Sequence, residues 1–284
     1  MNVLAIETAT DAVAVALLRD DGGAAERVHS GGREHAERLV PMIEEVCAAA
    51  GCPLSDVGVV AVDVGPGLFT GLRVGVATAK ALAYARGVRL LGVSSLDILA
   101  GAAAGHALAA ASRVETIVPV VDARRGEVFA ASYRFARAAS EAVRPADGPE
   151  PDRGGGAAAR TVVDVAPAVD DQPGALSPDE LVEWCRRQGS ALGSVLVVGD
   201  GAVRYLDRLA TETVLDLGAA ATLAVPPAAA LARLAAGRLA DGAPTVRADD
   251  LVPDYRRPAD ARINWEQRAE HPVTATGTEG GPGR

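Results

Sequence analysis

The stretch that most constrains the fold is residues 57–64, Val-Gly-Val-Val-Ala-Val-Asp-Val, an apolar, β-branched run with almost no polar alternation. A half-buried strand alternates polar and apolar residues. A run like this one predicts a strand covered on both faces, the hallmark of a layered α/β protein. It leads directly into Gly65-Pro-Gly-Leu-Phe-Thr-Gly71, and then into a segment with small side chains at Gly71, Gly75, Ala77, Ala79, Ala81, Ala83 and Ala85. That order reads as strand, glycine-rich turn and helix.

The flanking segments extend the pattern. Residues 2–8 predict a buried strand, Thr8 to Asp11 a turn, and Ala12 to Leu18 a second strand closed by Asp20-Asp21-Gly22-Gly23. Leu39, Ile43, Val46 and Ala50 share one helical face within a helix predicted over 34–50, with Val40 and Cys47 widening the stripe. Pro41 lies inside it, marking either a start or a bend. Residues 88–93 predict another strand, followed by a helix to about Ala104. A strand over 114–121, the turn Asp122-Ala-Arg-Arg-Gly-Glu127 and a return strand then repeat the opening hairpin, so two similar lobes are expected. The first lobe is assigned to 1–104 and the second to 105–240, with a C-terminal segment over 241–284. Residues 137–179 read as an irregular insertion, 181–188 as a helix, and 195–198 as a buried strand ending at Gly199-Asp200-Gly201. A late helix over 228–240 is expected to pack back on the first lobe. The tail from about Gln267 is expected to be disordered.

Composition excludes several functions. The net charge is −9 and no Lys/Arg run exceeds two residues, so strong independent binding to nucleic acid is not expected. No apolar run approaches about 18 residues, as a spanning helix would require. No basic leader precedes the first strand, and a cytoplasmic protein is expected. The three cysteines, Cys47, Cys52 and Cys185, show no C-x-x-C spacing and argue against a zinc knuckle or a disulfide framework. The four histidines form neither H-x-x-x-H nor H-E-x-x-H, and no G-x-S-x-G elbow occurs. No metal site and no catalytic set is expected.

Several features remain open between two readings. The glycine loop at 65–71 lacks the Lys of a P-loop; its amides either cradle an anion or only turn the chain. Glu7, Asp63 and Asp122 end or follow apolar strands, where α/β folds place ligands and carboxylates can hold Mg²⁺ beside phosphates, or where they serve as turn acceptors. Arg124 and Arg125 would bind phosphate or a partner carboxylate, or lie in a solvated turn. The small-residue helix is either core or a surface for close helix approach.

Taken in order, Ala5-Ile-Glu-Thr-Ala-Thr10, His35-Ala-Glu-Arg-Leu-Val-Pro-Met42, Gly65-Pro-Gly-Leu-Phe-Thr-Gly-Leu-Arg-Val-Gly-Val-Ala-Thr-Ala-Lys80, Gly92-Val-Ser-Ser-Leu96 and Asp122-Ala-Arg-Arg-Gly-Glu-Val128 resemble the TsaB (YeaZ) family. The likeness covers about residues 1–133, with weaker support at 199–201 and 253–258. It implies an actin-like (ASKHA, RNase H-like) fold with two lobes. It also implies a non-catalytic dimerization subunit for tRNA threonylcarbamoyladenosine synthesis. The implied partners are a catalytic TsaD-like subunit, a TsaE-like ATPase, and a second copy of this chain when the partner is absent, with tRNA met only through the complex. The implied partner-facing residues are Leu39, Val40, Ile43, Val46, Cys47, Leu72, Gly75, Val76, Ala79 and Ala83. A degenerate nucleotide cleft would be lined by Glu7, Thr8, Asp122, Arg124, Arg125, Gly199, Asp200 and Gly201. No cofactor would be required by this chain, with ATP and Mg²⁺ entering weakly or through the complex. The alternative is an ATPase or small-molecule kinase of the same fold.

Overall fold

A computed structural model describes residues 1–32, 34–109, 114, 116–135, 165–167, 174–189, 195–212 and 215–256. The tail from Gln267 and most of 137–179 lie outside the described residues.

The first sheet is built from β1 (Asn2–Glu7), β2 (Val13–Leu18), β3 (Ala24–His29), β4 (Val57–Gly65) and β5 (Arg89–Ser94), in the order β3-β2-β1-β4-β5. The first three strands form an antiparallel meander, and β4 and β5 add in parallel to β1. Parallel addition needs crossovers, supplied by helices α1 (His35–Ala49) and α2 (Phe69–Arg86). Helix α3 (Ser95–Ala109) follows β5. The edge strand β3 is a departure from the sequence reading, which ended the hairpin at Gly23. Its segment Ala-Ala-Glu-Arg-Val-His is largely solvent-facing, so it carries little of the apolar signal that marks a strand. Helix α1 runs through Pro41 without ending there; the proline is exposed, and its missing N–H falls on the solvent side of the helix.

The second sheet repeats this plan. Its strands are β6 (Thr116–Arg124), β7 (Glu127–Ala130), β8 (Tyr133–Phe135), β9 (Val165–Pro167), β10 (Val195–Val198) and β11 (Leu215–Asp216). Both β7 and β8 pair antiparallel with β6 in one register, shifted only between Asp122 and Arg124 beside the turn, so they act as one return strand. β10 and β11 add in parallel. Helices α4 (Pro178–Gly189), α5 (Asp200–Arg204) and α6 (Leu206–Leu209) complete the unit, and α7 (Ala228–Ala240) follows it in the chain. The stretch read as an irregular insertion therefore contributes the strand β9, a bridge from Leu176 to Val128, and the first turn of α4.

Side-chain alternation decides which layer covers which face. In β1, Leu4 and Ile6 join Leu39, Met42, Ile43, Val46, Val76 and Ala79 under α1 and α2. Val3 and Ala5 point the other way, with Ala14, Ala16 and Ala61, onto Ala228, Leu231, Ala232 and Ala235 of α7. Small residues on both sides let α7 approach the first sheet closely. Meanwhile α3 lays Leu96, Leu99, Ala100, Ala103 and Ala107 on Ile117, Val121 and Phe129 of the second sheet. Each lobe thus receives a covering helix from the other half of the chain. Leu181, Trp184 and Cys185 of α4 cover the remaining face of the second sheet.

The segment after α7 returns to the first lobe. Val246 N–H donates to the Leu90 carbonyl at 2.9 Å and Asp254 N–H to that of Val64 at 2.6 Å, with Leu251 buried between them.

Candidate functional site

Two surfaces matter: the cleft between the hairpins and the outer face of α1 and α2.

At the end of β1, the turn Glu7-Thr8-Ala9-Thr10 is buried. Its hydrogen-bonding groups are largely engaged. Glu7 accepts from Ala9 N–H at 2.7 Å, the Ala9 carbonyl accepts from Leu68 N–H at 2.6 Å, and His35 Nε2 lies 2.9 Å from the Thr10 carbonyl. Glycines make this contact possible. A Cβ at Gly67 would fall 2.3 Å from the Ala9 carbonyl oxygen, one at Gly71 would fall 2.0 Å from that of Thr8, and one at Gly75 would fall 2.3 Å from Thr8 Oγ1. The glycine block therefore seats α2 directly on the β1–β2 turn. Of the two readings the sequence left open for this loop, close packing is the one its contacts support.

The second lobe does the same. A Cβ at Gly199, whose φ is +107°, would fall 2.2 Å from the Val120 carbonyl, and one at Gly201 would fall 2.7 Å from Val120 Cγ1. The Gly199-Asp200-Gly201 turn thus seats α5 on β6.

The carboxylates respond to burial. Glu7 is held well above the usual carboxylate range, first by desolvation and then by the negative charges of Asp63 and Asp200. Asp63 is pushed up to about 7 by burial, against the hydrogen bonds it accepts from Ser95 Oγ and Gly65 N–H, each 2.7 Å. Asp200 is pushed up to about 6, again by burial first, while accepting from Asp122 N–H at 2.9 Å. Glu7 Oε2, Asp63 Oδ2 and Thr8 Oγ1 are buried without a hydrogen-bond partner.

Asp122 stands differently. One oxygen accepts from Arg124 N–H at 2.9 Å, and the other is 3.1 Å from both Arg124 Nη1 and Arg204 Nη1. Arg124 also reaches Asp11 of the opposite hairpin. Arg124 and Arg125 have φ of +63° and +56°, left-handed values that the tight turn imposes on non-glycine residues. Sequence reasoning missed Asp11 and Arg204. The only available signal for Arg204 was its place four residues after Asp200.

A magnesium nucleotide fits these residues poorly. The Ala9 N–H and the Ala9 and Thr10 carbonyls are engaged, burial drives Glu7 towards its neutral form, and Asp122 is already paired with Arg124 and Arg204. Among the described residues, no group of three or more His, Cys, Asp or Glu is placed to hold a metal ion.

The helix pair departs from expectation in detail. Leu39, Ile43, Val46, Cys47, Leu72, Gly75, Val76 and Ala79, expected to face a partner, are buried in the lobe's own core, because the apolar stripe of each helix points at the sheet. They are a correction to the contact set. Ala83 is half-buried and Val40 is 54% exposed. The outward residues are Glu37, Val40, Glu44 and Ala48 on α1, and Arg73, Ala77, Ala81 and Tyr84 on α2. Arg73 stacks on Phe69 at 3.9 Å and donates to Tyr255 Oη at 3.2 Å, while Tyr84 bonds Asp249. The C-terminal strap therefore runs antiparallel along α2.

Between the lobes, Asp97 of α3 accepts from Tyr133 Oη at 2.7 Å and from Arg238 of α7 at 2.6 Å. No helix among the described residues is long and apolar enough to cross a membrane.

Two copies of a three-strand meander with parallel additions, facing one another across a carboxylate-bearing cleft, define an actin-like two-lobed protein. The family model described as "TsaD: tRNA N6-adenosine threonylcarbamoyltransferase" matches residues 24–152. The chain is 38% identical over 134 residues to the tRNA threonylcarbamoyladenosine biosynthesis protein TsaB of Escherichia coli, covering 47% of this chain and 55% of that one. It is 34% identical over 145 residues to TsaB of Bacillus subtilis, covering 51% and 60% respectively. The matched regions thus span little more than half the length of these curated relatives. The solved structure of YeaZ from Pseudomonas aeruginosa superposes with a TM-score of 0.66 at 28% identity, covering 89% of this chain and 99% of that one. Over about half its length in sequence and over most of its length in fold, the chain is similar to TsaB/YeaZ proteins.

Proposed function

We propose that this chain is a non-catalytic subunit in the synthesis of threonylcarbamoyladenosine in tRNA, and that it works by docking a TsaD-type catalytic subunit on the outer face of α1 and α2. The observation that carries this reading is the exposed strip of small and apolar residues, Val40, Ala77 and Ala81, ending at Tyr84. Small side chains let a partner helix come close, and an aromatic at the margin supplies contact area. The names of the E. coli and B. subtilis relatives support the pathway. The engaged turn groups and neutralised carboxylates support a role without chemistry of its own. A TsaE-type ATPase, a homodimer in the partner's absence, a cytoplasmic setting and tRNA met only through the complex complete the proposal.

The test is co-elution of the chain with a TsaD-type subunit on a sizing column. Val40→Glu and Ala77→Arg change outward residues, so each variant should fold and elute alone. Both variants co-eluting as well as the parent would overturn the docking face.

The second reading is a nucleotide-binding protein, favoured by the unpartnered Glu7, Asp63 and Thr8 oxygens. Calorimetric titration with Mg²⁺-ATP should give no binding heat; saturable heat from the purified chain would favour this reading instead.

A further inference from the structure

The C-terminus of α1 places two thiols together. Gly51, at φ +60°, reverses the chain after Ala50. Its N–H donates to the Ala48 carbonyl at 3.1 Å, and Cys52 N–H donates to the Cys47 carbonyl at 3.0 Å. This pair of bonds defines a Schellman cap, in which the residues carrying the outer bond bring their side chains together. Here those residues are Cys47 and Cys52, both free thiols buried in the same apolar cluster.

The backbone bond limits their separation. From standard bond lengths, a 3.0 Å contact between Cys52 N and Cys47 O keeps the two Cα atoms within about 7 Å. The bends at oxygen and nitrogen shorten this into the disulfide range of about 4.4–6.8 Å.

We propose that Cys47 and Cys52 form a dithiol site that closes to an intrachain disulfide on exposure to a thiol oxidant of the disulfide or diazene class. In this step both S–H bonds break and one S–S bond forms. The two protons and two electrons pass to the oxidant, giving two thiols from a disulfide or a hydrazine from a diazene. Burial holds both thiols above the usual range; Cys52 adds to the effect at Cys47, and Asp56, Asp20 and Asp21 add to it at Cys52, where Arg19 opposes it. Both sulfurs therefore stay protonated near neutral pH, so closure is slow until the cap opens. Cys185 lies in the second lobe's core, in a separate apolar cluster, and serves as an internal control.

The test uses the full-length chain treated with diamide, then unfolded, alkylated and digested with trypsin. Cys47 and Cys52 fall in one peptide, residues 39–73, with no cleavage site between them. The expected result is loss of two hydrogens from that peptide, no alkylation of it, recovery on reduction, and an alkylated Cys185. A Cys52→Ser chain should lose the effect, and the parent result stands without it if that variant does not fold. Full alkylation of both cysteines after diamide, or bridges formed only between chains, would overturn the proposal.

Discussion

Arg124 Nη2 of the second lobe lies 2.7 Å from Asp11 Oδ1 of the first, so one guanidinium spans the mouth of the cleft. The same side chain holds Asp122 of its own hairpin. Asp11 is largely exposed, and water screens such a pair. Arg124→Ala should therefore lower stability by no more than about 1 kcal/mol in chemical denaturation. Asp122→Ala removes the acceptor of a backbone N–H and of two guanidiniums, and should cost more, about 1–3 kcal/mol. Equal losses would show that the buried carboxylate contributes no more than the exposed bridge.

The helix pair makes a sharper contrast. Ile43 is buried against β1 and β2, whereas Val40, one turn earlier, is open to solvent. Ile43→Glu should destabilise the chain by about 3 kcal/mol or more by burying an unpaired carboxylate. Val40→Glu should stay within about 0.5 kcal/mol. Melting curves of the two variants check this, and a folded Ile43→Glu chain with parent stability would contradict that packing.

Gly75 against Thr8 offers a rescue experiment. Gly75→Ala places a methyl 2.3 Å from Thr8 Oγ1, and should cost about 1–3 kcal/mol by overpacking. The next contacts, at 3.5 Å, are ordinary. Adding Thr8→Ala should then recover much of the loss, giving a coupling energy in a double-mutant cycle. Strict additivity of the two changes would show that the helix yields elsewhere.

Asp63 predicts a pH dependence. Its carboxyl titrates near 4 in an unfolded chain and at about 7 in the folded one. The folded state therefore holds an extra proton between these values, and stability falls as pH rises through that window before levelling above it. Asp63→Asn keeps an oxygen for Ser95 and Gly65 and removes the titration. At pH 8 it should melt higher than the parent, and its curve should be flatter between pH 5 and 8. Parallel curves for the two chains would mean that Asp63 is ionised without penalty.

Much of this fold is legible in the sequence because burial writes itself into residue patterns. The 57–64 run is apolar but for Asp63 because β4 is sandwiched between α2 and α7, and the repeated hairpin shows in the segments around Thr8 and Asp122. What was not legible has a physical reason. β3 lies at a solvent-facing edge, so Ala24–His29 lacks the apolar run of its neighbours. The two faces of α2 are nearly indistinguishable by composition, since alanines line both, and only the position of the sheet shows that Ala79 is inside and Ala77 outside. Asp11 and Arg204 gain their meaning from a fold that brings residues distant in the chain to one carboxylate, which local spacing does not encode.

The crossing of α3 and α7 bears on how the molecule comes apart. A fragment ending at Ala104 would leave Val3, Ala5, Ala14, Ala16 and Ala61 bare, because their cover arrives only with Ala228–Ala240. Conversely, the second sheet needs Leu96, Leu99 and Ala103 from the first half. Each half is thus the other's missing wall, and neither can be melted, excised or exchanged as a cassette. The chain is one cooperative unit written as two repeats, so a lesion deep in either lobe should register in both.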